Sequence, residues 1–81
     1  MEDKTILQSI DELVKEEHAL LQKAEEQGGL SEEERRRLHS LEVHLDQCWD
    51  LLRQRRARRR AGLNPDEAHE RDESTVEHYL Q

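Results

Sequence analysis

The chain contains no phenylalanine, one tryptophan, one tyrosine, one cysteine, one proline and three glycines. Each scarcity excludes something. A single cysteine cannot form an internal disulfide. So few aromatics give no interleaved platform for stacking nucleic-acid bases. Apolar runs only a few residues long fall far short of a membrane span. Gly28-Gly29 is followed by no Gly-Lys-Ser/Thr, so it is a turn and not a phosphate loop. The start Met1-Glu2-Asp3-Lys4 lacks the basic and apolar regions of a secretory signal. A reduced, cytoplasmic, soluble protein is expected.

What is present is charge and leucine. Charged residues make up 41% of the 81 residues. Leu, Ile and Val supply 17, of which 14 lie between residues 6 and 52. A chain this short makes one domain with a small core. The first part can fold on its own pattern, and the last part must fold against something. The net charge of −7 divides into −8 over residues 1 to 52, +6 over 53 to 60 and −5 over 61 to 81. Overall acidity disfavours non-specific attraction to nucleic acid or anionic lipid, although a concentrated basic block can act locally.

The apolar residues are mirrored about Gly28-Gly29: Leu20 matches Leu38, Leu13 matches Leu45, Ile10 matches Cys48 and Ile6 matches Leu52. Antiparallel helices joined by a tight turn pair in this way, because both advance about 1.5 Å per residue from the turn. The fold class is therefore all-α, a helical hairpin over residues 1–61 with an acidic tail over 62–81. The first helix spans about 3–27, ending where Gly28 can turn left-handed. Ser31 and Glu34 make a capping box for the second, which runs from about 31 to 61 before Gly62. In the tail, Asn64-Pro65-Asp66-Glu67 starts a short helix to about Arg71. Ser74 with Glu77 forms a second box that places Val76, Tyr79 and Leu80 on one face.

Around the first helix, Ile6, Ile10, Leu13, Leu20 and Ala24 form one stripe, and Leu7, Val14 and Leu21 a second beside it. On the second helix, Leu38, Leu41, Leu45, Cys48 and Leu52 form the seam, Trp49 and Leu51 flank it, and Val43 lies on the far side. Stripes this wide exceed what one partner helix covers, so dimerisation into a four-helix bundle is expected, with these residues as core and oligomer interface. The alternative is a tail that wraps back as a third layer. Trp49 is either a half-buried edge residue or an anchor for the second copy or for the Val76 turn. Glu17 interrupts the seam opposite Leu41. It is expected to reach solvent, His44 or Arg37, or to act as a polar register device.

Arg53, Arg55, Arg56, Arg58, Arg59 and Arg60 form the densest charge cluster. Mirrored pairing sets Asp3 and Glu2 opposite Arg55 and Arg56, and the tail acids can neutralise the rest. The alternative is salt-sensitive contact with nucleic-acid phosphates. His44 and Cys48, at i and i+4, could supply two metal ligands, but two ligands do not make a site. The Glu-x-x-His spacing of di-iron bundles occurs nowhere. No catalytic, cofactor-binding or metal residue is assigned, and the expected partners are a second copy and a protein.

The stretch Leu45-Asp46-Gln47-Cys48-Trp49-Asp50-Leu51-Leu52-Arg53-Gln54-Arg55-Arg56-Ala57-Arg58-Arg59, followed by Gly62, Pro65-Asp66-Glu67-Ala68 and the ending Tyr79-Leu80-Gln81, resembles a family of short uncharacterised actinobacterial proteins. The resemblance spans the whole chain. It implies a small cytosolic helical protein with no assigned activity, in which hairpin, arginine segment and tail form one unit.

Overall fold

Two long antiparallel helices, α1 (Asp3–Gln27) and α2 (Glu32–Arg60), pack against one another. A 3₁₀ turn (Pro65–Glu67) and a short helix α3 (Glu73–Tyr79) follow, and both pack on α2. The computed structural model describes residues 2–79, with side chains described through Val76.

The turn is built by local chemistry. Gly28 adopts φ 78°, a left-handed conformation that costs a glycine little, and its N–H donates to the Ala24 carbonyl. The Ser31 hydroxyl accepts from Glu34 N–H at 3.1 Å while the Glu34 carboxylate accepts from Ser31 N–H at 2.9 Å. Glu34 also meets Lys23 Nζ at 2.6 Å and Gln27 Nε2 at 3.0 Å, so the box ties both helix ends together. The Lys23 ammonium, helped by the Ser31 amide and Gln27, pulls the Glu34 carboxyl down to about 2. At its far end α2 stops at Gly62, with φ 75°. Arg58, Arg59 and Arg60 sit in its last turn, where cations suit the helix dipole.

Ile6, Ile10, Leu45, Cys48 and Leu51 form the buried cluster, with Leu13, Val14, Leu52 and Ala68 packed against it. Leu41 and Val76 are also fully buried. Leu51, expected to flank the seam, is instead more deeply placed than Leu52. The tail supplies its cover, since Ala68 packs against the same cluster.

The tail departs from expectation in two places. The helix expected over residues 65 to 71 is a single 3₁₀ turn, capped by Asn64 Oδ1 accepting from Asp66 N–H at 3.0 Å. Beyond it, residues 68 to 72 form no regular structure, and the His69 and Arg71 carbonyls accept from Gln54 and Gln47 of α2 instead of closing further helical turns. Helix α3 begins at Glu73, and its cap is Asp72, whose Oδ1 accepts from Thr75 N–H at 2.8 Å. Ser74, expected to be that cap, lies inside the helix. The Tyr79 side chain and Leu80, expected to share a face with Val76, lie outside the described residues.

The molecule measures 50 × 24 × 16 Å with a radius of gyration of 15.0 Å. A compact chain of this length would have a radius of about 12 Å. Its smallest dimension is little more than one helix diameter of about 10–12 Å, so the hairpin is a slab with two broad faces.

Candidate functional site

Two surface features stand out, a clamp of charges at the open end of the hairpin and an apolar stripe along one side. The clamp centres on Arg55, which is 7% exposed. Its Nε donates to Asp3 Oδ1 at 2.5 Å, and its Nη1 donates to Asp66 Oδ1 at 3.0 Å and to the Pro65 carbonyl at 3.2 Å. One guanidinium thus joins the start of α1, the end of α2 and the tail, using the planar fork that suits arginine to several acceptors. Arg59 forms a two-pronged pair with Asp3 at 2.9 and 3.2 Å, and Arg58 reaches Glu67 at 3.3 Å. The Arg55 hydrogen bond, with Arg59 behind it, holds the Asp3 carboxyl below its ordinary value. Arg55 likewise holds Asp66 low, while the hydrogen bonds it donates to Asp3 and Asp66 raise Arg55 itself.

Further along α2 the tail is held by polar side chains that composition does not single out. Gln54 Nε2 donates to the His69 carbonyl at 2.7 Å and to Asp50 Oδ2 at 2.9 Å. Gln47 Nε2 donates to the Arg71 carbonyl at 3.1 Å. Asp50, 3% exposed, receives Arg71 Nε at 3.2 Å. His39 lies 3.1 Å from Glu73, and His44 lies 4.0 Å from Glu70. Sequence reasoning missed Gln47, Gln54 and Arg71, and it set Asp50 among the acids facing the arginine segment, whereas Asp50 holds Arg71 of the tail and Gln54. Their 3–4-residue spacing, 47, 50, 54, marks a polar stripe, but nothing local says that a tail will cover it. Val43, placed on the far side of the seam, is half-buried. It stands four residues from both His39 and Gln47, on the face that the tail occupies.

The structure sorts the six arginines. Arg55, Arg58 and Arg59 are engaged by Asp3, Asp66 and Glu67, Arg53 is half-buried, and Arg56 and Arg60 are exposed. Asp3 opposite Arg55 follows the mirrored register. The Arg37 partner is Glu16, not Glu17, because Glu16 lies on the same edge of the hairpin as Arg37. Glu17 itself is half-buried.

The apolar feature concerns residues expected at core or interface. Ile6, Ile10, Leu41, Leu45 and Cys48 are buried, and Leu13, Val14, Leu20, Leu38 and Leu52 are half-buried. Leu7, Leu21 and Trp49 remain 50%, 47% and 45% exposed. These exposed side chains share one broad face. Each residue turns about 100° around its helix, so Leu7, Val14 and Leu21, seven apart, line up to one side of the Ile6–Ile10–Leu13 seam. In an antiparallel helix the sense of rotation reverses, which puts Leu38 and Trp49 of α2 on that same side. The Glu16–Arg37 pair marks the opposite edge. The side of α2 that carries His44, Leu51 and Arg55 is the one lined by the tail.

Cys48 is buried, and burial followed by the Glu70 charge pushes its thiol above the ordinary value, away from the thiolate that nucleophilic or metal chemistry needs. Among the described residues no group of three or more His, Cys, Asp or Glu side chains could hold a metal ion. No described helix is long and apolar enough to cross a membrane.

Comparison with known proteins agrees with the unit seen in the fold. A family model described as "Protein of unknown function (DUF2630)" matches residues 2–81. The uncharacterized protein Rv0898c of Mycobacterium tuberculosis is 50% identical over 78 residues, covering 95% of this chain and 88% of the relative. The uncharacterized protein Mb0922c of Mycobacterium bovis matches to the same extent. No solved structure matches the chain.

Proposed function

Because this chain belongs to the DUF2630 family, whose description carries no activity, we propose a function from its surface: a non-enzymatic helical interaction module that works as a homodimer in the cytoplasm and presents a protein-binding surface. The observation that carries this reading is the half-exposed row Leu7, Leu21 and Trp49 on a single face of a slab only 16 Å thick. Exposed apolar side chains that line up on one face mark an association site, whereas scattered ones need no explanation. A second hairpin covers that face and completes a four-helix bundle, leaving the charged edges and the tail-clad side for another protein. Sedimentation or light scattering of the purified chain at micromolar concentration tests this directly. Twice the 9.7 kDa chain mass is expected, and a stable monomer refutes it.

Nucleic-acid binding through residues 53 to 60 is the less supported alternative. Three of those arginines are occupied by Asp3, Asp66 and Glu67, so an incoming phosphate must displace a carboxylate. Strong binding at physiological salt, falling steeply with log salt until the arginines are replaced, would favour it instead.

A further inference from the structure

The exposed apolar face is self-complementary about one two-fold axis, and from this we infer the geometry of the dimer: α1 packs antiparallel on α1 of a second copy, centred on Val14. The inference rests on the dimer reading above and specifies it.

In an antiparallel pair of identical helices, each residue faces the one reflected through the axis position. An axis at Val14 sets Leu7 against Leu21 of the second copy, Leu21 against Leu7, and Val14 against itself. On α2, an axis that sets Trp49 against Leu38 of the second copy must lie midway, between Val43 and His44. One rigid hairpin has only one such axis, so both heights must coincide. They do. The hairpin register, fixed by Asp3 on Arg55 at one end and Lys23 on Glu34 at the other, places Val14 across from residue 44, within one residue or about 1.5 Å of the α2 midpoint. The stripe on α1 and the pair on α2 therefore obey the same symmetry operation, as an isologous interface requires.

On the α1 half of the face, charge fits the same register. The row outside the α1 stripe is Lys4, Asp11, His18 and Glu25, all exposed. The operation brings Lys4 to Glu25 of the second copy and Asp11 to His18 of the second copy, two complementary contacts, each repeated by symmetry. Two like-charge approaches, Glu42 to Asp46 and Arg35 to Arg53 of the second copy, oppose it along the rim of α2. A face measuring 50 by 24 Å has room for the roughly 800 Å² per partner that stable complexes bury. A rival register, with the axis at Trp49, would pair Glu42 with Arg56 of the second copy. It strands Leu21 beyond the contact and sets Leu38 against Arg60 of the second copy, which is why the observations favour Val14.

Cross-linking of the full chain in a Cys48→Ala background, with folding checked by circular dichroism, separates these arrangements. Val14→Cys alone should give a covalent dimer on oxidation or with a short bismaleimide. Leu7→Cys alone should not, because its two copies would stand 14 residues or about 21 Å apart. Leu7→Cys mixed with Leu21→Cys should link. A dimer that links through Trp49→Cys or Leu7→Cys alone, and not through Val14→Cys, overturns the geometry while leaving dimerisation intact. A chain that sediments as a monomer overturns both.

Discussion

Replacing Leu7 and Leu41 by alanine, one at a time, distinguishes a surface awaiting a partner from a core already closed. Leu41 is 1% exposed within a single chain. Its truncation removes buried methylenes and leaves a cavity, at a cost of about 2–5 kcal/mol. A domain of this size loses roughly 4–8 °C in Tm per kcal/mol, so Leu41→Ala should melt at least 8–10 °C lower. Leu7 is 50% exposed, so within one chain its truncation forfeits at most about half of a leucine's 1.5–3 kcal/mol burial, near 1 kcal/mol. The other half is gained only when a second copy arrives. Two copies contribute it twice, near 2 kcal/mol of association free energy, equivalent to a roughly 10- to 30-fold weaker dimer. Urea unfolding at two protein concentrations a hundredfold apart, paired with sedimentation, reads both effects. The Leu7→Ala midpoint should depend on concentration differently from wild type because the coupled dimer is weaker. A concentration-independent loss for Leu7→Ala, with the same mass as wild type, would refute the reasoning and make Leu7 an ordinary surface leucine.

Three further outcomes follow from the observed contacts. Glu34 sits at about 2, below the ordinary carboxylate value of 4.5, so its stabilisation is fully present above that ordinary value and is lost as pH falls from about 4.5 toward 2; Glu34→Gln should flatten this part of an acid-unfolding profile followed by circular dichroism. Arg55→Met should free the tail more than it unfolds the hairpin, read as faster hydrogen exchange at Thr75 and Val76 with helix content nearly kept; equal loss of protection at Leu41 would show the clamp to be global instead. Val43→Asp places a charge on the half-buried face between His39 and Gln47, so it should also release the tail, whereas an unchanged exchange pattern would mean that this face is solvent.

Much of the architecture is legible without coordinates. Gly28, the Ser31–Glu34 box, Gly62 and the mirrored leucines are short-range or periodic signals, and helix geometry turns them directly into two antiparallel helices with a known register. That register also anticipates Asp3 on Arg55. Elsewhere the local signal competes with an unseen neighbour. Ser74-x-x-Glu77 reads as a cap, yet the structure starts the helix at Glu73 and caps it with Asp72. Leu51 and Val43 look peripheral on a helical wheel because the wheel knows nothing of the tail that covers them.

The sequence by itself determined the fold class, the turn, the limits of the two long helices and the charge blocks, because these depend on residues within a few positions of one another or on a strict helical period. Only the tertiary structure decided where the tail lies, which arginines are already neutralised, and how far the second apolar stripe is left uncovered. Those depend on contacts between residues 11 to 56 positions apart, such as Arg55 with Asp66 and Arg59 with Asp3, whose partners are chosen by packing and not by spacing.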